Sequence, residues 1–188
     1  MSFFSGTSKT VNISPIPSVV RRADAVALLQ DHKFFLLCDP HYSSHKTLPQ
    51  PKELESEPTS VDAARKHFAL PVALDPAGAS GPVVKVYEVV DHMPNPVWSS
   101  NVVSREEFVD HGEGIWVRIR SPMGVVMETL WSVRERDGKG LELVEDVVIN
   151  CSKLVMGIVK GQVENNWKGI HKQIIDKLVG DAGAAPAE

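Results

Sequence analysis

The runs GIWVRIRS (114–121), GVVMETLWSVRE (124–135) and GLELVEDVVINC (140–151), followed at once by KLVMGIVKGQVENNWKGIHKQIIDKLV (153–179), decide the fold. In the first run Ile115, Val117 and Ile119 share one face, while Trp116, Arg118 and Arg120 share the other, as a strand with one buried face requires. SPMG (121–124) turns the chain back, and Asp137-Gly138 is a hairpin signal before the third run. Three strands joined by short turns form an antiparallel sheet, and the residues that follow have helical spacing. At about 100° per residue, Val155, Val159, Gln162, Val163, Asn166, Ile170 and Ile174 form one stripe, with Lys160, Glu164, Lys168 and Lys172 opposite. The expected unit is a sheet with a long helix laid across its concave face.

Working outward, VVKVYEVVDHM (83–93) is a β-branched strand, and VWSSNVVSREEFVDH (97–111) is a long strand leading into the His111-Gly112 turn. KTVNISPI (9–16) reads as an opening strand stopped by Pro15 and Pro17. Ser18 is placed to cap a helix over 18–30. Asp31 is placed to cap a second over 32–38, which Asp39-Pro40 ends. A weaker strand is expected over 41–48. The proline-rich excursion over 49–82 carries Glu53, Glu55 and Glu57 and a short helix at 59–68, and reads as a lid or an insertion. The ends, 1–8 and 180–188, read as disordered. The expectation is one α+β domain over 9–179: a seven-stranded antiparallel sheet, two short helices after the first strand, and a long C-terminal helix.

Composition narrows the function. A chain of 188 residues, 43% hydrophobic, builds one sizeable core. A net charge of −4, with the cations scattered among carboxylates, argues against nucleic acid. The absence of any apolar run near the roughly 20 residues of a bilayer span argues for a cytoplasmic protein without a membrane span. Cys38 and Cys151 are expected as free thiols. Cys38, Asp39, His41 and His45 cluster in sequence, but Pro40 breaks any helix through them, and on a strand the two rings lie about 13 Å apart, so no metal site is expected. There is no GxGxxG, no P-loop and no Ser-His-Asp motif spacing, and no cofactor is implied.

The order of elements over 9–179, with YEVVDHMP (87–94), EDVVINC (145–151) and the terminal helix, resembles the helix-grip fold of the START-like (SRPBCC) superfamily, which includes Bet v 1-like plant proteins, aromatic polyketide cyclases and lipid-transfer domains. The wording of those segments is similar to a group of small fungal proteins of that superfamily. The glycine-rich loop of many plant members is replaced here by the proline-rich excursion, which points away from nucleotide-like and plant-hormone-like ligands. The resemblance implies a hydrophobic cavity between sheet and helix.

Within that frame, Gln162 and Asn166 interrupt the apolar stripe. A buried unpaired amide costs roughly 1 to 3 kcal/mol, so each needs backbone, water or a ligand. Gly157 and Gly161 together cost the helix about 2 kcal/mol relative to alanine, which a bend over a cavity or a close backbone approach would explain. Glu145 alternates with Leu141, Leu143, Val147 and Ile149, and is expected either as a general acid or base with a raised pKa or as an ion pair with Arg118 or Arg120. Glu128, between Val126 and Leu130, has the same two readings. His92, beside Asp91 at a strand end, is a second catalytic candidate at the rim. Ligand-lining candidates are Gln162, Asn166, Trp116, Trp131, Glu128, Tyr87, Val159 and Val163, although Trp98, Trp116, Trp131 and Trp167 all read more readily as core than as stacking platform. The leading expectation is a monomer or homodimer that binds a hydrophobic small molecule, lipid-like or polyketide/terpenoid-like. The alternatives are a cofactor-free cyclase or isomerase of a secondary-metabolite intermediate using Glu145, His92 or Asn166, and a protein-binding adaptor.

Overall fold

The computed structural model describes residues 5–51, 61–71, 74, 83–93 and 100–184. Its elements are β1 (Ser5–Ile16), α1 (Arg22–Leu29), α2 (His32–Leu37), β2 (Tyr42–Leu48), α3 (Val61–Phe68), β3 (Val84–Met93), β4 (Ser100–His111), β5 (Gly114–Ser121), β6 (Val125–Glu135), β7 (Leu141–Ser152) and α4 (Lys153–Ala184). The strands form one seven-stranded antiparallel sheet in the order β1-β7-β6-β5-β4-β3-β2. The first strand therefore pairs with the last, from Ser5 opposite Ser152 to Ile16 opposite Leu141.

Local chemistry sets the boundaries. The Asp31 side chain accepts the Phe34 N–H at 3.1 Å, capping α2 as expected. Ser18 does not cap α1. It sits in a turn closed by the Val20 N–H on the Pro17 carbonyl, and the helix starts at Arg22 behind Arg21, whose guanidinium reaches Asp24 at 2.7 Å. Gly138 and Gly140, at φ 71° and 94°, turn the β6–β7 hairpin. At Gly114 a Cβ would stand 2.2 Å from the Trp131 carbonyl oxygen, so only glycine lets β5 enter the sheet there. Of the two ends read as disordered, residues 5–8 belong to β1 and 180–184 continue α4, while 1–4 and 185–188 lie outside the described residues.

The sheet's two faces are covered differently. On the inner face Val89, Phe108, Ile115, Val117, Trp131, Val133 and Leu143 pack against Ala25 and Leu29 of α1, Leu36 of α2, and Ile174 and Leu178 of α4. On the outer face Val84, Val86, Val109 and Trp116 are covered by Ala64, Phe68, Leu70 and Leu74. The described part of the proline-rich excursion thus covers the outer face, on the side of the sheet away from α4. Arg118 ties it there, donating to the Phe68 carbonyl and, at 3.0 Å, to the Ala69 carbonyl, while pairing with Glu128 at 2.7 Å and Glu107 at 3.5 Å.

The terminal helix is seated unevenly. His171, Ile174 and Leu178 are buried, whereas Val155, Val159, Gln162, Val163 and Asn166 are half-buried, and Leu154 and Ile158 are exposed. Neither Gly157 nor Gly161 meets any atom within 4 Å of where a Cβ would stand, so close approach does not account for them.

Candidate functional site

Two polar groups are built into the inner face. The first lies where β1, β7 and β6 meet the C-terminal half of α4. Asn12, Glu145 and Trp131 stand in one row across the three strands, so all three side chains share a face. The Asn12 amide donates to Glu145 Oε2 at 2.8 Å, and His171 of α4 brings its Nε2 to 3.7 Å from the same oxygen. His171 Nδ1 lies 2.9 Å from Ser14 Oγ, while the Trp131 and Trp167 rings bracket the imidazole, each with its centroid 5.2 Å away. Asn12, Glu145 and His171 are all buried, and His171 Nε2 has no partner at hydrogen-bond distance. The expected pairing of Glu145 with Arg118 or Arg120 does not occur. Those guanidiniums lie on the opposite phase of β5 and meet Glu107 and Glu128 on the outer face.

The second group lies at the other side of the sheet, under α2 and the turn after it. Burial, reinforced by the charge of Asp91, pushes the Glu106 carboxyl up to about 8, against a hydrogen bond from Ser104 Oγ at 3.1 Å that favours the anion. Burial and the neighbouring Asp39 raise Asp91 to about 6, partly offset by His41. Burial also raises the Cys38 thiol to about 12. His32 links the group to the core, with Nδ1 3.1 Å from the Tyr87 hydroxyl and Nε2 2.7 Å from Asp110. Burial, with Asp110 close by, lifts the Tyr87 hydroxyl above its ordinary range.

The remaining expected residues divide between the faces. Tyr87 and Trp131 lie on the inner face. Trp116 and Glu128 do not: Trp116 packs under α3 and Glu128 pairs with Arg118, because both occupy the outward phase of their strands. They cannot line a site beneath α4. His92 is exposed and meets Asn101 at 3.1 Å, whereas its neighbour Asp91 takes the inward phase. Val159 and Val163 pack partly against Val147, Ile149 and Cys151. The side-chain amides of Gln162 and Asn166, on the same stripe, make no hydrogen bond among the described residues. Trp98 lies outside those residues. His45 Nδ1 meets the Tyr42 hydroxyl at 2.7 Å, and among the described residues no three His, Cys, Asp or Glu side chains are grouped to hold a metal.

Sequence reasoning misses Asn12, Ser14, His32, Glu106 and His171. Glu106 is recoverable from its alternation with Phe108. His171 is hidden because at about 100° per residue it lies about 160° from Val155, on the face read as exposed. Hollows open on both faces of the sheet. One of about 370 Å³ lies on the outer face between Leu74, His111, Trp116 and Leu130. The other, of about 410 Å³, lies between β1 and α4 and is lined by Ser14, Pro15, Trp167, Lys168, Lys172 and Ile175.

A family model described as "Domain of unknown function (DUF7053)" matches residues 5–180. The chain belongs to this family. No curated protein matches the DUF7053 chain in sequence. Among solved structures it is similar to the di-domain ARO/CYC StfQ from the steffimycin biosynthetic pathway, with TM-score 0.60 and 10% identity over 95% of this chain and 52% of that one. The DUF7053 chain thus spans about half the length of that di-domain protein. It is also similar to TTHA0849 from Thermus thermophilus, with TM-score 0.54 and 14% identity over 96% of this chain and all of that one. Ara h 8.0201 matches with TM-score 0.51 and 14% identity over 94% and 99% of the two chains. At such identities the likeness establishes the helix-grip fold of the DUF7053 chain, a seven-stranded antiparallel sheet with a long C-terminal helix. No helix among the described residues is long and apolar enough to cross a membrane.

Proposed function

We propose that the protein binds a hydrophobic small molecule, lipid-like or polyketide/terpenoid-like, between the N-terminal half of α4 and the inner face of the sheet. The observation that carries this reading is the state of Gln162 and Asn166: two half-buried amides on the sheet-facing stripe, among Val155, Val159 and Val163, with no hydrogen bond among the described residues. Solvent reaches both amides, and a ligand carrying a carbonyl or hydroxyl takes its place there while the ligand's apolar body covers the valines. The partial exposure of this half of the helix also provides a route of entry. Native mass spectrometry of protein purified from its own host tests the reading. A retained small molecule, lost in the Gln162→Leu/Asn166→Leu variant, supports it; bare protein under several growth conditions, together with no saturable uptake of a fluorescent fatty acid, overturns it.

A second reading, a cofactor-free cyclase or isomerase, draws on Glu106. A buried carboxyl at about 8, beside Asp91 at about 6, both holds and releases a proton near neutral pH, which general acid–base catalysis needs. Glu145, the acid or base expected from the sequence, is engaged by Asn12 and faces His171. Incubating any bound compound with wild type, Glu106→Gln and Glu145→Gln decides this reading: unchanged turnover in both variants removes it.

A further inference from the structure

We propose that Ser14, His171 and Glu145 form a nucleophile–base–carboxylate relay opening on the groove between β1 and α4, and that this groove hydrolyses carboxylic esters carrying an apolar group and an anionic group. The site is separate from the ligand site proposed above and does not depend on it.

The imidazole is the centre of the relay. His171 is buried, and its two nitrogens face different groups: Ser14 Oγ lies 2.9 Å from Nδ1, while Glu145 Oε2 lies 3.7 Å from Nε2, within ion-pair range but beyond hydrogen-bond distance, so Nε2 has no hydrogen-bond partner among the described residues. A carboxylate on the Nε2 side draws the ring proton to that nitrogen, which leaves Nδ1 free to accept the Ser14 hydroxyl proton. Glu145 is itself held by the Asn12 amide at 2.8 Å, and the ring is bracketed by Trp131 and Trp167. A nucleophile within reach of a base that a third group orients is the arrangement by which a weakly acidic hydroxyl is activated. Access points the same way. Ser14 is only partly buried and is among the residues lining the open hollow of about 410 Å³, whereas His171 and Glu145 are buried and do not line it. Trp167, Pro15 and Ile175 supply apolar wall, and the ammonium groups of Lys168 and Lys172 supply positive charge. Lys172 is shared with Asp176 at 2.5 Å, whereas Lys168 stands over the Trp167 ring at 5.6 Å. These walls select the ester class: an apolar portion against the tryptophan, an anionic portion against the lysines.

The chemistry balances with water alone. Ser14 Oγ bonds to the ester carbonyl carbon as its proton passes to His171 Nδ1, and the charge of Glu145, 3.7 Å from Nε2, stabilises the imidazolium. Collapse breaks the bond to the alcohol oxygen, which leaves with the proton from Nδ1. Water, deprotonated by the same nitrogen, then cleaves the acyl group from Ser14 and regenerates the hydroxyl. The products are one acid and one alcohol.

The test uses the full chain. A fluorophosphonate probe is expected to label wild type once, at Ser14 by peptide mapping, and 4-nitrophenyl hydrogen adipate is expected to be hydrolysed faster than neutral 4-nitrophenyl butyrate. Ser14→Ala should lose at least about 100-fold in rate, the scale of lost nucleophile and base assistance. Glu145→Gln, a change at a positioning residue, should lower the rate about 10-fold or more and shift the pH profile of Ser14 labelling, which a purely structural role would leave in place. Lys168→Ala/Lys172→Ala should abolish the preference for the anionic ester. Wild type unlabelled at Ser14, or Ser14→Ala hydrolysing at the wild-type rate, overturns the proposal. The labelling arm reads wild type directly and is independent of how well the variants fold.

Discussion

Glu106→Gln should make the protein more stable at neutral pH, and the size of the gain follows from where that carboxyl sits. In the folded protein burial holds Glu106 at about 8, against an ordinary 4.5. Below about pH 4.5 the group is protonated in both folded and unfolded chains and costs nothing. Above it the unfolded chain releases the proton while the folded chain keeps it, so stability falls with rising pH at roughly 1.4 kcal/mol per unit until the folded group also ionises near pH 8. At pH 7 this amounts to about 3 kcal/mol, and between pH 5 and pH 8 the wild type should lose about 3 to 4 kcal/mol from this group alone. Glutamine has nearly the same shape, its oxygen still accepts from Ser104 Oγ, and it cannot ionise. Urea unfolding followed by tryptophan fluorescence at pH 5, 7 and 8 gives the comparison. The variant should be more stable than wild type at pH 7, with a visibly flatter dependence on pH. A variant no more stable at pH 7, or one that keeps the wild-type slope, would show that Glu106 ionises in the fold as it does in water.

Three further outcomes are expected. Arg118→Met leaves Glu107, only 3% exposed, without its buried partner and frees α3 from the sheet, and should cost about 3 to 5 kcal/mol by urea unfolding; Arg120→Ala, at a half-exposed guanidinium, should cost about 1 kcal/mol or less in the same assay. Asp31→Ala removes the cap of α2 and should cost about 1 kcal/mol, visible as a small drop in urea midpoint. Gly114→Ala places a Cβ against the Trp131 carbonyl and should lower the thermal midpoint by far more than Gly112→Ala, whose Cβ would meet nothing within 4 Å.

The architecture is readable because it is written in local periods. Alternation in β5, β6 and β7, the Asp137-Gly138 turn and the Asp31 cap each act within a few residues, and the observed elements follow them. Glu145 emerges the same way, by its phase among leucines and valines. The same rule, applied through the pairing of Trp116 with Leu130 and of Arg118 with Glu128, sends Trp116 and Glu128 to the outer face; judged as single residues they look like lining. What periodicity cannot supply is tertiary. Nothing in residues 61–68 states which face of the sheet they will cover. The sheet-facing stripe of α4 also shifts around the helix, from the half-buried Val155 and Val159 to the buried His171 and Leu178, so a single reference angle misplaces its far end. Ser14, His171 and Glu145 come from three separate segments, so no motif spacing announces them.

The pairing of β1 with β7 has a consequence in time. Even the nearest partners in that ladder, Ile16 and Leu141, are 125 positions apart in the chain. Closing a loop of that length carries an entropic cost of roughly 4 kcal/mol that only the completed ladder repays. During synthesis, the opening strand must therefore wait unpaired until nearly the whole sheet has left the ribosome. Its alternate side chains Val11 and Ile13 remain exposed even in the finished fold, which makes this waiting strand the segment most open to capture by a chaperone or by another nascent copy.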